Sequence, residues 1–145
     1  MGSSKIIVAL DGKNLIQVKK IVNELKFDVY AFKIGYEFFF NYGINGYKEI
    51  KKICPNIFLD LKLHDIPNTV QKGIKAIGNL MPLITTIHIS GGNEMMKASK
   101  IINKKTKVVG VSILTSLNSK QAKMYYNDNK IDSIVKKFVK QAQKS

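Results

Sequence analysis

Five apolar segments rich in β-branched residues punctuate the chain: KIIVALD (5–11), VYAFKIG (29–35), IFLDLKL (57–63), ITTIHIS (84–90) and KVVGVSIL (107–114). Helical periodicity fills the stretches between them. Short strands joined through helices pair side by side in parallel with right-handed crossovers. In the first connection Leu15, Val18, Ile21, Val22 and Leu25 share one helical face, and Asn14 is placed to cap it. A second helix is predicted through GYKEIKKIC (46–54), stopping at Pro55. A third starts after Pro67, which suits a first turn, and ends near Pro82. GNEMMKASKIINK (92–104) reads as a fourth, and DSIVKKFVKQAQK (132–144) as a fifth with Ile134, Val135, Phe138 and Val139 as its stripe.

Such alternation builds either an open doubly wound sheet or part of an eight-stranded barrel. No glycine-rich phosphate loop follows the first strand, which counts against a dinucleotide-binding sheet. Asp11, Lys33, Asp60, Lys62 and Ser90 fall at or near the C-terminal ends of their strands, where barrels collect their active groups. A whole barrel takes roughly 250 residues; the 145 present suit a single domain, 1–145, with about five of its strand-helix units. The expected class is therefore α/β, an incomplete TIM-type (β/α)8 barrel.

Composition trims the alternatives. Hydrophobic residues make up 45%, too many for disorder, and no run reaches a membrane span. MGSSKIIVALD has no signal-peptide core, and the lone Cys54 reads as a buried helix residue, so a reducing, cytoplasmic location is expected. The net charge of +14 is spread over pairs such as Lys19-Lys20, Lys51-Lys52, Lys104-Lys105 and Lys136-Lys137. That spacing matches the solvated faces of helices better than a nucleic-acid patch.

FLDLKLHDIPNT (58–69) is the stretch that points to chemistry. Leu59, Leu61 and Leu63 alternate with Asp60, Lys62 and His64, and Asp65 follows. An exposed edge strand with ordinary surface charges fits this alternation. So does a barrel strand whose Asp60 and Lys62 point to the mouth while the leucines pack under helices. In the second case the charges must pair, with Lys33 as the neighbouring partner. Two unit charges about 4 Å apart attract by roughly 4 kcal/mol at an effective dielectric near 20, so an array of alternating sign can hold itself together and impose a fixed field on a ligand.

IIVALD, FKIG, FLDLKLHDIPNTV, IHISGGNEMM and GVSILTS, in this order, resemble the successive motifs of the orotidine 5′-phosphate decarboxylase family, over about Lys5 to Ser116 and more weakly beyond. DLKLHDIPNT is the most specific piece; related sugar-phosphate decarboxylases and aldolases share Asp-x-Lys-x-x-Asp but usually not the Ile-Pro-Asn-Thr. The resemblance implies a homodimer of barrels, working without metal or organic cofactor, that converts orotidine 5′-phosphate to uridine 5′-phosphate in pyrimidine synthesis. It implies a catalytic array of Lys33, Asp60, Lys62 and Asp65, with Asp65 given to the partner subunit's site. Substrate would be held by Asp11, Lys33, the run Asp60, Leu61, Lys62, Leu63, His64, Asp65, Ile66, Pro67, Asn68 and Thr69, and by Thr115.

Other residues have simpler expectations. His64 is a structural partner in the turn, His88 is packed or hydrogen-bonded near the site, SGGNEMM (90–96) is loop geometry, Met95 and Met96 are core, and the tyrosines of KMYYNDNK (123–130) cover the barrel. The family's phosphate grip, an arginine, a glutamine and backbone amides after its sixth to eighth strands, has no counterpart here, and the chain contains no arginine. Low activity is the expectation, unless a second polypeptide supplies the missing strands. The alternatives are a basic binding module that kept only the fold, or a related sugar-phosphate decarboxylase or aldolase.

Overall fold

The computed structural model describes residues 5–12, 14–102 and 104–145. Five strands, β1 (Ile7–Ala9), β2 (Ala31–Ile34), β3 (Ile57–Leu63), β4 (Ile84–His88) and β5 (Lys107–Val111), form one sheet in the order β1-β2-β3-β4-β5. β1 pairs in parallel with β2, and β2 with β3, in a register that sets Ala9 beside Lys33 and Lys33 beside Phe58. The helices are α1 (Leu15–Leu25), α2 (Tyr36–Ile53), α3 (Pro67–Leu80), α4 (Gly92–Ala98), α5 (Ser119–Tyr126) and α6 (Ile131–Gln143). None of them is long and apolar enough to cross a membrane.

Packing divides the chain into two compact units. The first comprises Met1–Leu61, Ala76–Thr85 and Asn103–Lys107. Its core holds Val18 and Val22 of α1, Phe32 and Ile34 of β2, Tyr47 and Ile50 of α2, and Ile57 and Leu59 of β3, all fully buried. Each such aliphatic or aromatic side chain is stabilised by about 1.5–3 kcal/mol on leaving water. Asn14 caps α1 as its position suggests, accepting from the Gln17 amide at 2.9 Å. Glu49 of α2 takes Lys19 of α1 at 2.8 Å and Lys52 at 3.0 Å, and these lysines, Lys19 first, lower its carboxyl to about 2.

The second unit comprises Lys62–Lys75, Thr86–Ile102 and Val108–Ser145. Val70, Ile74, Ile87, Ile89, Met95 and Met96 form its buried centre, with Leu63, Val108 and Phe138 packed against them.

Several sequence expectations need correction. α2 begins at Tyr36, ten residues before its expected start, and bends at Gly43, whose φ of 56° and ψ of −154° are not helical. Strand ends fall short: Asp11 lies beyond β1, residues 89–91 form a 3₁₀ turn rather than strand, and β5 stops at Val111. α4 ends at Ala98 and a 3₁₀ turn follows; the Asn103 end of the expected helix lies outside the described residues, as do the first four residues of the N-terminal reading. Cys54 is buried as expected but caps α2 instead of sitting inside it. Val139 is 45% exposed, off the buried stripe that Ile134 anchors. Of the two tyrosines, Tyr126 packs edge-on against Phe138, whereas Tyr125 is 63% exposed.

Candidate active site

In the first unit β2, β3 and the segment just beyond β1 deliver one charged side chain each. The residues of β2 around Lys33 are buried, and Lys33 itself is only half-buried because its stem runs out beside Asp11 and Asp60. Its Nζ lies 3.6 Å from Asp11 Oδ2 and 3.8 Å from Asp60 Oδ2. The Leu10 amide donates to the Lys33 carbonyl at 3.0 Å, fixing where Asp11 emerges. Asp60 is only 7% exposed on the third of five strands, which removes the edge-strand reading of its charge. At these separations the contacts are ion pairs rather than close hydrogen bonds. The ammonium is shared by two carboxylates.

The space around this cluster is tightly kept. A Cβ on Gly35 would sit 3.3 Å from Asp11 Oδ1 and 3.7 Å from Lys33 Nζ, so the glycine leaves the ion pair its room. Tyr36 donates its hydroxyl to the Leu61 carbonyl at 2.9 Å, tying the start of α2 to β3, and Glu37 accepts the Gly12 amide at 3.0 Å. Thr85, fully buried, donates to the Leu59 carbonyl at 3.0 Å. Periodicity could not reveal these ties, since they depend on which strand residues end up opposite each other.

Leu61 still belongs to the first unit, and the predicted residues from Lys62 on lie in the second. Lys62 is half-buried, with the left-handed φ of 41°, and its amide donates to Thr86 Oγ1 at 2.9 Å. A non-glycine residue held there costs about 1–2 kcal/mol. His64 packs against His88, the ring centroids 5.0 Å apart and tilted by 30°, and its Nε2 lies 3.5 Å from Ser90 Oγ. A Cβ on Gly91 would run into Met95 Sδ, so the methionine would have to shift to admit any larger residue there. Asp65 is exposed and accepts the Ile66 amide at 2.7 Å. Leu63 packs into the core, whereas Ile66, Pro67, Asn68, Thr69 and Thr115 are exposed. A solvated basic recess beside α6, lined by Lys130, Ser133, Lys136 and Lys140 among others, contains none of the predicted site residues.

Comparison with known proteins follows the same lines as this geometry. The model of the family described as Orotidine 5'-phosphate decarboxylase / HUMPS matches residues 4–145. The chain belongs to that family. The orotidine 5′-phosphate decarboxylase of Wolbachia sp. subsp. Brugia malayi is 42% identical over 141 residues, covering 96% of this chain and 63% of its own length. That of Erythrobacter litoralis is 44% identical over 119 residues, 81% of this chain and 53% of its own. The chain therefore spans between about half and two thirds of these decarboxylases. Among solved structures, the Lactobacillus acidophilus decarboxylase superposes with a TM-score of 0.86 at 36% identity, covering 99% of this chain and 68% of that one. The Methanocaldococcus jannaschii decarboxylase, complexed with the inhibitor BMP, gives 0.78 at 30% identity, covering 98% and 64%. The expected fold class stands: strands alternate with helices as in the corresponding part of the decarboxylase fold.

Proposed function

We propose that this protein decarboxylates orotidine 5′-phosphate to uridine 5′-phosphate, with Lys33, Asp60, Lys62 and Asp65 as its charged array. The observation that carries the reading is the Asp11–Lys33–Asp60 cluster, with Asp60 buried and Lys33 within 3.8 Å of it. A chain that only needed to fold would gain more from apolar residues at such positions. Asp60 would face the substrate carboxylate and raise the energy of the bound ground state. Lys62, two residues further along β3, would stabilise the carbanion left on the pyrimidine ring and then supply its proton. A fixed ammonium does so without solvent rearrangement. Asp11 and Lys33 would hold ribose hydroxyls. In a homodimer Asp65 and Thr69 would reach the partner subunit's substrate, and Thr115 would meet the pyrimidine edge. No metal or organic cofactor enters this scheme, and the cytoplasm is the proposed location.

The names of the curated relatives favour this substrate over the sugar phosphates of related enzymes. Binding of the remote phosphate is the usual source of energy for ordering such a site, and the family's grip lies in strands beyond those matched. Turnover by these 145 residues alone is therefore proposed to be low, rising when a second polypeptide carrying the later strands is added. The test is product formation by the purified chain, with and without that polypeptide. The expected result is slow conversion that Lys62→Met abolishes; conversion that survives Lys62→Met refutes the assignment.

A further inference from the structure

Lys62 adopts a φ of 41° at the C-terminal end of β3. Lysine has no short polar side chain to stabilise that region locally, as asparagine and aspartate do. Strained backbone of this kind persists only where its surroundings hold it. The Lys62 amide donates to Thr86 Oγ1 at 2.9 Å, and Thr86, on β4, is 3% exposed. A hydroxyl so placed is oriented by packing and meets little competition from water.

We infer that Thr86 is a positioning residue for Lys62: its hydroxyl oxygen holds the Lys62 amide, keeps the backbone left-handed and so sets the direction in which the ammonium leaves the strand. The inference deepens the decarboxylase reading and rests on it for the role of the ammonium. Rotation about φ moves the Cα–Cβ vector away from the direction the pleat would give, and a long side chain magnifies that change at its tip. Misplacing a catalytic group by about 1 Å can cost about a hundredfold in rate. The adjacent Thr85 does a different job, since its hydroxyl donates to a strand carbonyl, Leu59.

Thr86→Val keeps the shape and removes the oxygen; Thr86→Ser keeps the oxygen. In the full chain, Lys62 amide exchange is expected to be about tenfold faster in Thr86→Val and close to wild type in Thr86→Ser, with the Val18 and Val22 amides of α1 unchanged as a control for folding. The Lys62 Cε and Nζ resonances, assigned by their loss in Lys62→Arg, should be shifted or multiple only in the valine variant. In turnover, kcat should fall about 10- to 100-fold with KM within about twofold, and serine should restore it. If valine prevents folding, Thr86→Ala is read in the same way. Unchanged amide exchange and unchanged lysine resonances overturn the inference whether or not the chain turns over, and so does fast exchange with full kcat. Turnover that survives Lys62→Met removes the catalytic reading instead, and the NMR comparison still decides whether Thr86 orients Lys62.

Discussion

Asp60 shows what the cluster costs. A carboxylate only 7% exposed, it shares the Lys33 ammonium with Asp11. Removing Lys33 takes a cation from beside both Asp11 and Asp60, whereas neutralising Asp60 removes a desolvated charge and keeps the Lys33–Asp11 pair. Lys33→Met is therefore expected to destabilise the fold by about 1–3 kcal/mol in urea unfolding. Asp60→Asn should be close to neutral or raise Tm while ending turnover, as at sites where activity is kept against stability. Equal losses from the two variants would make Asp60 a stabilising partner and not a stressed one. Both charges were legible in the sequence because strand ends mark the mouth of a barrel. Gly35, Tyr36 and Thr86 were not, because a glycine beside an ion pair or a threonine beneath a lysine acquires its meaning only from register.

At the scale of the element, α2 is where sequence reading failed. Aromatic residues at Tyr36, Phe38, Phe39, Phe40 and Tyr42 blur the helical period, and Gly43 and Gly46 punctuate it, so only the later half read as helix. In the structure two helical stretches meet at Gly43, whose non-helical backbone lies in a region open essentially to glycine. Gly43→Ala is expected to cost about 1–3 kcal/mol, read as a shift of the urea midpoint without a change in slope. α5 was missed for the opposite reason. Its apolar face is thin, with only Ala122 buried, and its one clear signal is the Asn118–Gln121 capping box. α2 also carries a pH dependence. Tyr47 is fully buried, donates to the Leu80 carbonyl at 3.2 Å, and has its phenol pushed well above the ordinary 10.0 by desolvation. Above pH 10 the unfolded chain releases this proton while the folded chain keeps it, so stability falls as pH rises. Tyr47→Phe should lose about 1 kcal/mol at neutral pH with the hydrogen bond. Its unfolding free energy should decline less steeply than wild type above pH 10, a difference that denaturation at pH 9 and at about pH 11 will measure.

For the molecule as a whole, the sheet order makes β1 and β5 the edge strands among those described. Both present apolar side chains to solvent: Ile7 of β1 is 39% exposed, with Ile6 just before it at 61%, and Val109 of β5 is 45% exposed. Edges of this kind pair with other chains unless something opposes it. Here the opposing force is the net charge of +14, with Lys104, Lys105 and Lys107 at or just before β5 acting as gatekeepers. That repulsion is screened by salt: the Debye length shrinks from about 10 Å at 0.1 M to about 3 Å at 1 M. Self-association in sedimentation velocity should therefore grow with salt over that range, and Val109→Lys should suppress the growth. Assembly bridged by nucleic acid would do the reverse, because added salt competes with its phosphate contacts. A specific homodimer would stop at twice the monomer mass, while edge pairing continues past it. Association that weakens with salt, or that vanishes after nuclease treatment, would favour the basic-module reading; association that grows past the dimer would tie it to the exposed strands.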